Sequence, residues 1–288
     1  MLRIGRIDFA NLYPIFHCLA RRCARTVGRR YEFVGGVPSQ VNALMRQGVI
    51  DVGPASSIEY LRNRHLYDLI QGHCIAARGS VMSIILFSTV EIERLNGATI
   101  LTTAQAETST ALLNIIMRKF YGLDCRFLVS DAPLTEGLSR YPAYLLIGDN
   151  ALLESQHSLT LQAPPLARPE PAPGSLLLQD TPGCGQLYAY DLSTIWYEHT
   201  GESFVFALWF AQKGCDAALI ESLRGDLDLA REEALSNLHE IAVNSPYAST
   251  IPVDVLCQYW ITIGYKLTDS QMRGLRLFER YSRQLGLL

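Results

Sequence analysis

The first sixty residues alternate between short apolar runs, small-residue turns and amphipathic segments, and this alternation restricts the chain to few folds. Residues 2–7 read as a strand and residues 8–11 as a turn. Residues 12–25 carry a helical period. Leu12, Ile15, Phe16, Leu19 and Cys23 fall on one face, and Pro14 sits in the first turn, where its missing N–H costs little. A second strand is expected over 31–34, a turn over 35–38, and a helix over 39–47 that stops at Gly48. Residues 49–53 predict a third strand, and Pro54 to Ser57 open a helix over 58–63. Such repetition signals an α/β domain with a mainly parallel sheet.

Ligands of these sheets bind beyond the carboxyl ends of the strands. The turns there carry Asn11 and Ser56 beside helix starts, where free backbone N–H groups and the helix dipole favour an anion. Ser56 and Ser57 serve equally well as ordinary helix caps.

A second αβ pattern begins after residues 79–88, Gly-Ser-Val-Met-Ser-Ile-Ile-Leu-Phe-Ser, which start small and end as an apolar strand. A strand passing from one domain to another places its side chains at the cleft between them, so Ser83 is expected to face a ligand. A strand over 98–102 leads through Glu107, Thr108 and Ser109 into a helix over 111–121; three such side chains exceed what one cap needs. Strands are expected over 126–129 and 143–147, with a short helix over 133–138 between them. Asp149 follows the second of these strands, as a cap or a ligand-side group. Residues 163–174 hold five prolines and read as a stiff surface segment.

A strand over 187–190 and a helix over 191–201 ending in glycine come next. Residues 204–211 are almost uninterruptedly apolar, as in a strand buried on both faces. Helices over 216–237, from Pro252, and over 269–285 complete the chain. The expected layout is a two-domain hinged clamshell: residues 1–88 with 186–288 form domain one, and residues 89–185 form an inserted domain two. Two crossings let such a protein enclose a ligand.

The 288 residues suit two domains, and 49% apolar against 18% charged residues supply their cores. A net charge of −3 and the lack of a basic tract argue against nucleic acid; the arginines near residues 21–30 suit the end of a helix. Seven scattered cysteines without a CxxC pair fit reduced thiols in a cytoplasm. The six histidines lack metal-ligand spacing, so no metal is expected. Neither an export signal nor a membrane-length apolar run is apparent in the sequence.

Read in order, several motifs resemble one family across nearly the whole chain. They are Gly5-Arg6-Ile7-Asp8-Phe9-Ala10-Asn11-Leu12-Tyr13-Pro14, Gly48-Val49-Ile50-Asp51-Val52-Gly53-Pro54-Ala55-Ser56, Val81-Met82-Ser83, Glu107-Thr108-Ser109, and Ile147-Gly148-Asp149-Asn150. Asp191-Leu192 with Trp196, Thr200-Gly201 and the run from Phe204 to Trp209 complete the set. The chain resembles the chorismate dehydratases of the futalosine route to menaquinone, which have the fold of type II periplasmic binding proteins. The resemblance implies loss of water from chorismate to give 3-[(1-carboxyvinyl)oxy]benzoate, with no metal or organic cofactor. It implies that Asn11 and Ser83 are the catalytic positions, holding a substrate whose own enolpyruvyl carboxylate takes the proton. Ser56, Thr108 and Ser109 would bind its two carboxylates, with Asp149 on the substrate side. The chain departs from the family at Glu202-Ser203, where Leu-Pro is usual, and Arg78 occupies a variable position beside the crossing strand.

Two other readings share the fold. The naphthoate-forming synthase of the same route calls for a histidine base in the second domain, and no histidine precedes His157 there. A non-catalytic binder of an aromatic or dicarboxylate anion is the other; as a solute receptor it would carry an export signal.

Overall fold

The computed structural model describes residues 1–25, 30–160, 175–178 and 187–288. The proline-rich segment 163–174, Arg29 and Cys184 lie outside the described residues. The strands are β1 (Leu2–Ile7), β2 (Tyr31–Gly36), β3 (Val52–Ser56), β4 (Tyr67–Ala77), β5 (Ile84–Ser88), β6 (Thr99–Thr102), β7 (Arg126–Val129), β8 (Ala143–Ile147), β9 (Ser175–Leu178), β10 (Leu187–Asp191), β11 (Phe204–Gln212) and β12 (Ile263–Gly264). The helices are α1 (Tyr13–Arg25), α2 (Pro38–Arg46), α3 (Ser57–Arg62), α4 (Glu107–Ile115), α5 (Leu134–Arg140), α6 (Gly148–Thr160), α7 (Leu192–Thr200), α8 (Ala217–Ser236), α9 (Leu238–Val243), α10 (Val253–Thr262) and α11 (Asp269–Gln284).

The chain divides into two compact units: Met1–Ala77 with Val205–Glu279 and Leu288, and Arg78–Phe204 with Arg280–Leu287. Strand β5 and Ser83 therefore belong to the second unit.

In the first unit the sheet order is β12-β4-β11-β3-β1-β2. β1 runs parallel to β2 and β3, while β11 is antiparallel to β3 and β12 to β4. The α/β class stands, with a mixed sheet. β11 is buried along all but its last residue, as its unbroken apolar sequence requires. Ile4, Leu12, Leu19, Phe210, Tyr259 and Trp260 are fully buried in this unit. A Cβ at Gly53 would stand 3.1 Å from the Gly5 backbone, so glycine at position 53 lets β3 lie this close to β1; a Cβ at Gly5 would instead press on the Val41 and Ile50 side chains.

In the second unit the order is β7-β6-β8-β5-β10-β9. β6 is parallel to β7 and β8, whereas β5 is antiparallel to β8 and β10. Ile85, Phe87, Leu101, Leu138 and Tyr144 build its core. α7 starts at an Asp191 cap and ends at Gly201 in the left-handed region, φ 69°.

Three local expectations change. Strand β3 spans Val52–Ser56, so Pro54 lies within it, opposite Trp209, and does not open a helix. The eleven-residue β4 has no counterpart in the sequence reading, because Gln71, Gly72 and His73 interrupt its apolar pattern. α4 starts at Glu107, so Thr108 and Ser109 lie in its first turn.

Candidate functional site

The six site residues expected from sequence fall into two groups, one on each unit. In the first unit the parallel strands β1 and β3 are neighbours, with Ile4 opposite Val52. Their carboxyl ends carry Asn11 and Ser56. Asn11 sits in a 3-10 turn, Ala10–Leu12, directly after β1. Two buried aromatic side chains fasten this turn by its carbonyls. Trp260 Nε1 donates to the Ala10 oxygen at 2.8 Å, and the Tyr265 hydroxyl donates to the Asn11 oxygen at 2.7 Å. Burial pushes the Tyr265 phenol well above its ordinary range, so it remains a donor. The backbone is thus held while the side chain is left to other work. Asn11 Oδ1 is buried and has no hydrogen-bond partner among the described residues. A buried amide oxygen in this state calls for a donor, which a bound ligand can supply.

Ser56 ends β3 and caps α3, its Oγ accepting from Glu59 N at 3.4 Å. Asn42 of α2, almost fully buried, holds both the backbone and the hydroxyl of Ser56. The cap foreseen from sequence is present; Asn42 was not foreseen, because nothing local in α2 marks it.

In the second unit Ser83 immediately precedes β5. Its carbonyl accepts from Gly148 N at 2.8 Å, and Ile84 pairs with Ile147, so Ser83 lies opposite the start of α6. Asp149 is in the first turn of that helix, half-buried. β6 runs parallel to β8, with Thr102 opposite Leu145, and its carboxyl end leads into the first turn of α4. Thr108 and Ser109 are buried there, and the cap residue, Ala106, supplies no side-chain bond. Ser83, Asp149, Thr108 and Ser109 therefore share one edge of the second sheet. Thr103 joins them at the end of β6, its buried Oγ1 without a partner among the described residues.

The backbone before Ser83 is strained and clamped. Met82 has φ 64°, costly for a residue with a Cβ. Asp191 Oδ2 accepts from Ser80 Oγ at 2.8 Å, Val81 N at 2.9 Å and Met82 N at 2.8 Å. Its Oδ1 accepts from Ser193 N and Thr194 N at 2.9 and 3.1 Å. Full burial pushes the Asp191 carboxyl above its ordinary range, and these donors pull the other way. The sequence placed this residue at the start of a helix, and nothing local to it marks the clamp. Arg78 turns its guanidinium to the Tyr197 hydroxyl at 3.0 and 3.2 Å.

Among the described residues no group of three or more His, Cys, Asp or Glu side chains could hold a metal ion. No helix among them is long and apolar enough to cross a membrane.

A family profile described as menaquinone biosynthesis matches residues 2–284. The chain belongs to that family. This menaquinone biosynthesis family member is 29% identical over 286 residues to the chorismate dehydratase of Thermus thermophilus, across 99% of this chain and 95% of the relative. Its structure resembles that of protein AF1704 from Archaeoglobus fulgidus, with TM-score 0.77, 14% identity, and coverage of 100% of this chain and 98% of the other. It also resembles the periplasmic aliphatic sulphonate binding protein SsuA of Escherichia coli, with TM-score 0.59, 13% identity, and coverage of 100% and 88%. The menaquinone biosynthesis family member thus has the periplasmic-binding-protein fold that its sequence implied.

Proposed function

We propose that the protein is a chorismate dehydratase, a hydro-lyase that converts chorismate to 3-[(1-carboxyvinyl)oxy]benzoate and water. The observation that carries this reading is the end-to-end match to the Thermus thermophilus chorismate dehydratase, within a family of menaquinone biosynthesis.

The chemistry fits the groups at hand. The ring C3–H of chorismate is vinylogous to the ring carboxylate, so its loss gives a delocalised anion. Departure of the C4 hydroxyl then makes the ring aromatic, and the two fragments leave as water. Aromatisation drives the reaction, which leaves the protein to position a dianion and stabilise developing charge. In this reading the enolpyruvyl carboxylate of the substrate takes the proton. Asn11 and Ser83 hold substrate groups by hydrogen bonds, Ser83 near the ring. The unpartnered Asn11 oxygen supports this role, since the C4 hydroxyl is a donor. The hydroxyl groups of Ser56, Thr108 and Ser109 take the carboxylates, with Asp149 beside them. The reading places the enzyme in the cytoplasm, where scattered thiols stay reduced.

Purified protein given chorismate should develop the ultraviolet absorption of an aromatic enol ether. Unchanged chorismate at high protein concentration would overturn the assignment. Ser83→Ala should lower kcat on the order of 100-fold while the melting curve stays in place. Full activity in that variant would make Ser83 a packing residue.

A further inference from the structure

The hydroxyl of Ser56 has a polarity that its neighbours dictate. The Ser56 backbone N–H can only donate, and it lies 3.0 Å from the Asn42 side chain, so the Asn42 atom facing it is the oxygen Oδ1. The other arm of the same amide is then the NH₂ group, which donates to Ser56 Oγ at 2.8 Å. The Glu59 backbone N–H also donates to Oγ, at 3.4 Å. A serine oxygen has two lone pairs and one hydrogen. Both lone pairs are taken, and the O–H hydrogen has no acceptor among the described residues. Asn42 is 1% exposed and cannot trade this arrangement for water.

We propose that Asn42 is a positioning residue which fixes Ser56 as an obligate hydrogen-bond donor, so that its subsite takes a carboxylate oxygen of the substrate and rejects a donor group. The inference rests on the reading of Ser56 as a carboxylate-binding residue. It adds to that reading the reason a chain without a basic tract can still select an anion: the hydroxyl cannot turn its lone pairs outward.

Asn42→Asp tests it. The new carboxylate keeps the bond from the Ser56 N–H but accepts on both oxygens, so the serine hydrogen turns inward and a lone pair faces the substrate. The variant also adds a charge, which a second background isolates. KM and kcat for chorismate are measured in the wild type, Asn42→Asp, Ser56→Ala and the double variant, each checked by its melting curve. Ser56→Ala should raise KM about tenfold with little change in kcat. Asn42→Asp should raise KM at least as much in the serine protein, and far less when Ser56 is already alanine. Asn42→Ala, which frees the hydroxyl to rotate, should raise KM about threefold, again only in the serine protein; it serves as the test if the aspartate variant does not fold. An equal rise from Asn42→Asp in both backgrounds would mean charge alone, and would overturn the proposal. An unchanged KM in Ser56→Ala would instead remove the carboxylate-binding role of Ser56, and the proposal with it.

Discussion

Asp191 holds Met82 in a left-handed backbone conformation: Oδ2 accepts the Met82 N–H at 2.8 Å, where φ is 64°. The contact fixes the residue immediately before Ser83. Asp191→Asn would turn at least two of the five accepted bonds into clashes of donors in a buried site, since either oxygen accepts from two backbone N–H groups. Stability should fall by about 2–4 kcal/mol and turnover should fall with it. Met82→Gly removes the Cβ strain at some entropic cost, so its stability should stay within about 1 kcal/mol of the wild type. Urea unfolding measures both; an aspartate-to-asparagine variant of unchanged stability would show that the clamp is incidental.

Tyr265 acts on Asn11 through the backbone. Tyr265→Phe leaves the Asn11 carbonyl unpaired in a buried setting, at a cost of about 1–2 kcal/mol. Turnover of chorismate should drop more than stability alone explains, since the turn loses one of its two fastenings. A variant with native kcat and KM would mean that Trp260 suffices.

His73 should make the fold acid-sensitive. Arg231 places a nitrogen 3.1 Å from His73 Nδ1, and a guanidinium can only donate. The imidazole is therefore neutral, with its proton on Nε2, 3.6 Å from Asp228 Oδ1. Burial, then the Arg231 charge, lowers its pKa from 6.5 to about 4. The unfolded chain binds this proton first as pH falls, so the contribution is complete above the unfolded value and lost between 6.5 and about 4. It amounts to about 3 kcal/mol. Unfolding free energies at pH 7.5 and 4.5 should differ by less in His73→Gln; an identical pH slope would remove His73 as the cause.

Ser203 stands where the family resemblance implies proline. It is 1% exposed, and its Oγ has no partner among the described residues. Ser203→Ala discards a buried, unsatisfied hydroxyl and should raise stability by about 1 kcal/mol. A lower melting temperature would point to a bridging water in its place.

How much of this was legible in the sequence follows from how local each signal is. The stripe of Leu12, Ile15, Phe16 and Leu19 at the start of and along α1 and the apolar run of β11 are properties of contiguous residues, and both are buried as expected; Cys23, at the far end of the stripe, is only half-buried. The stop of α7 at Gly201 emerged where expected, while Asp191, read as the first residue of that helix, proved to be its cap. The second function of Asp191 was hidden, because its partners Ser80, Val81 and Met82 are remote in sequence and come close only when β5 pairs with β10. Asn42 was hidden for the same reason: its amide meets Ser56 fourteen residues on, across a turn and a strand. The mixed hydrogen-bonding of the sheets was missed because strand direction is set by partners, which a single strand's sequence does not name.

The place of β11 between β3 and β4 has a consequence for synthesis on the ribosome. Until residues 204–212 emerge, the first sheet exists only as the β3-β1-β2 group and a separate β4. The missing central strand arrives after the whole second sheet has been translated. The amino-terminal residues must therefore wait, partly exposed, for a late partner, while β5 to β10 already have every neighbour they need. The sheet whose strands are made first is the sheet whose set of strands is completed last.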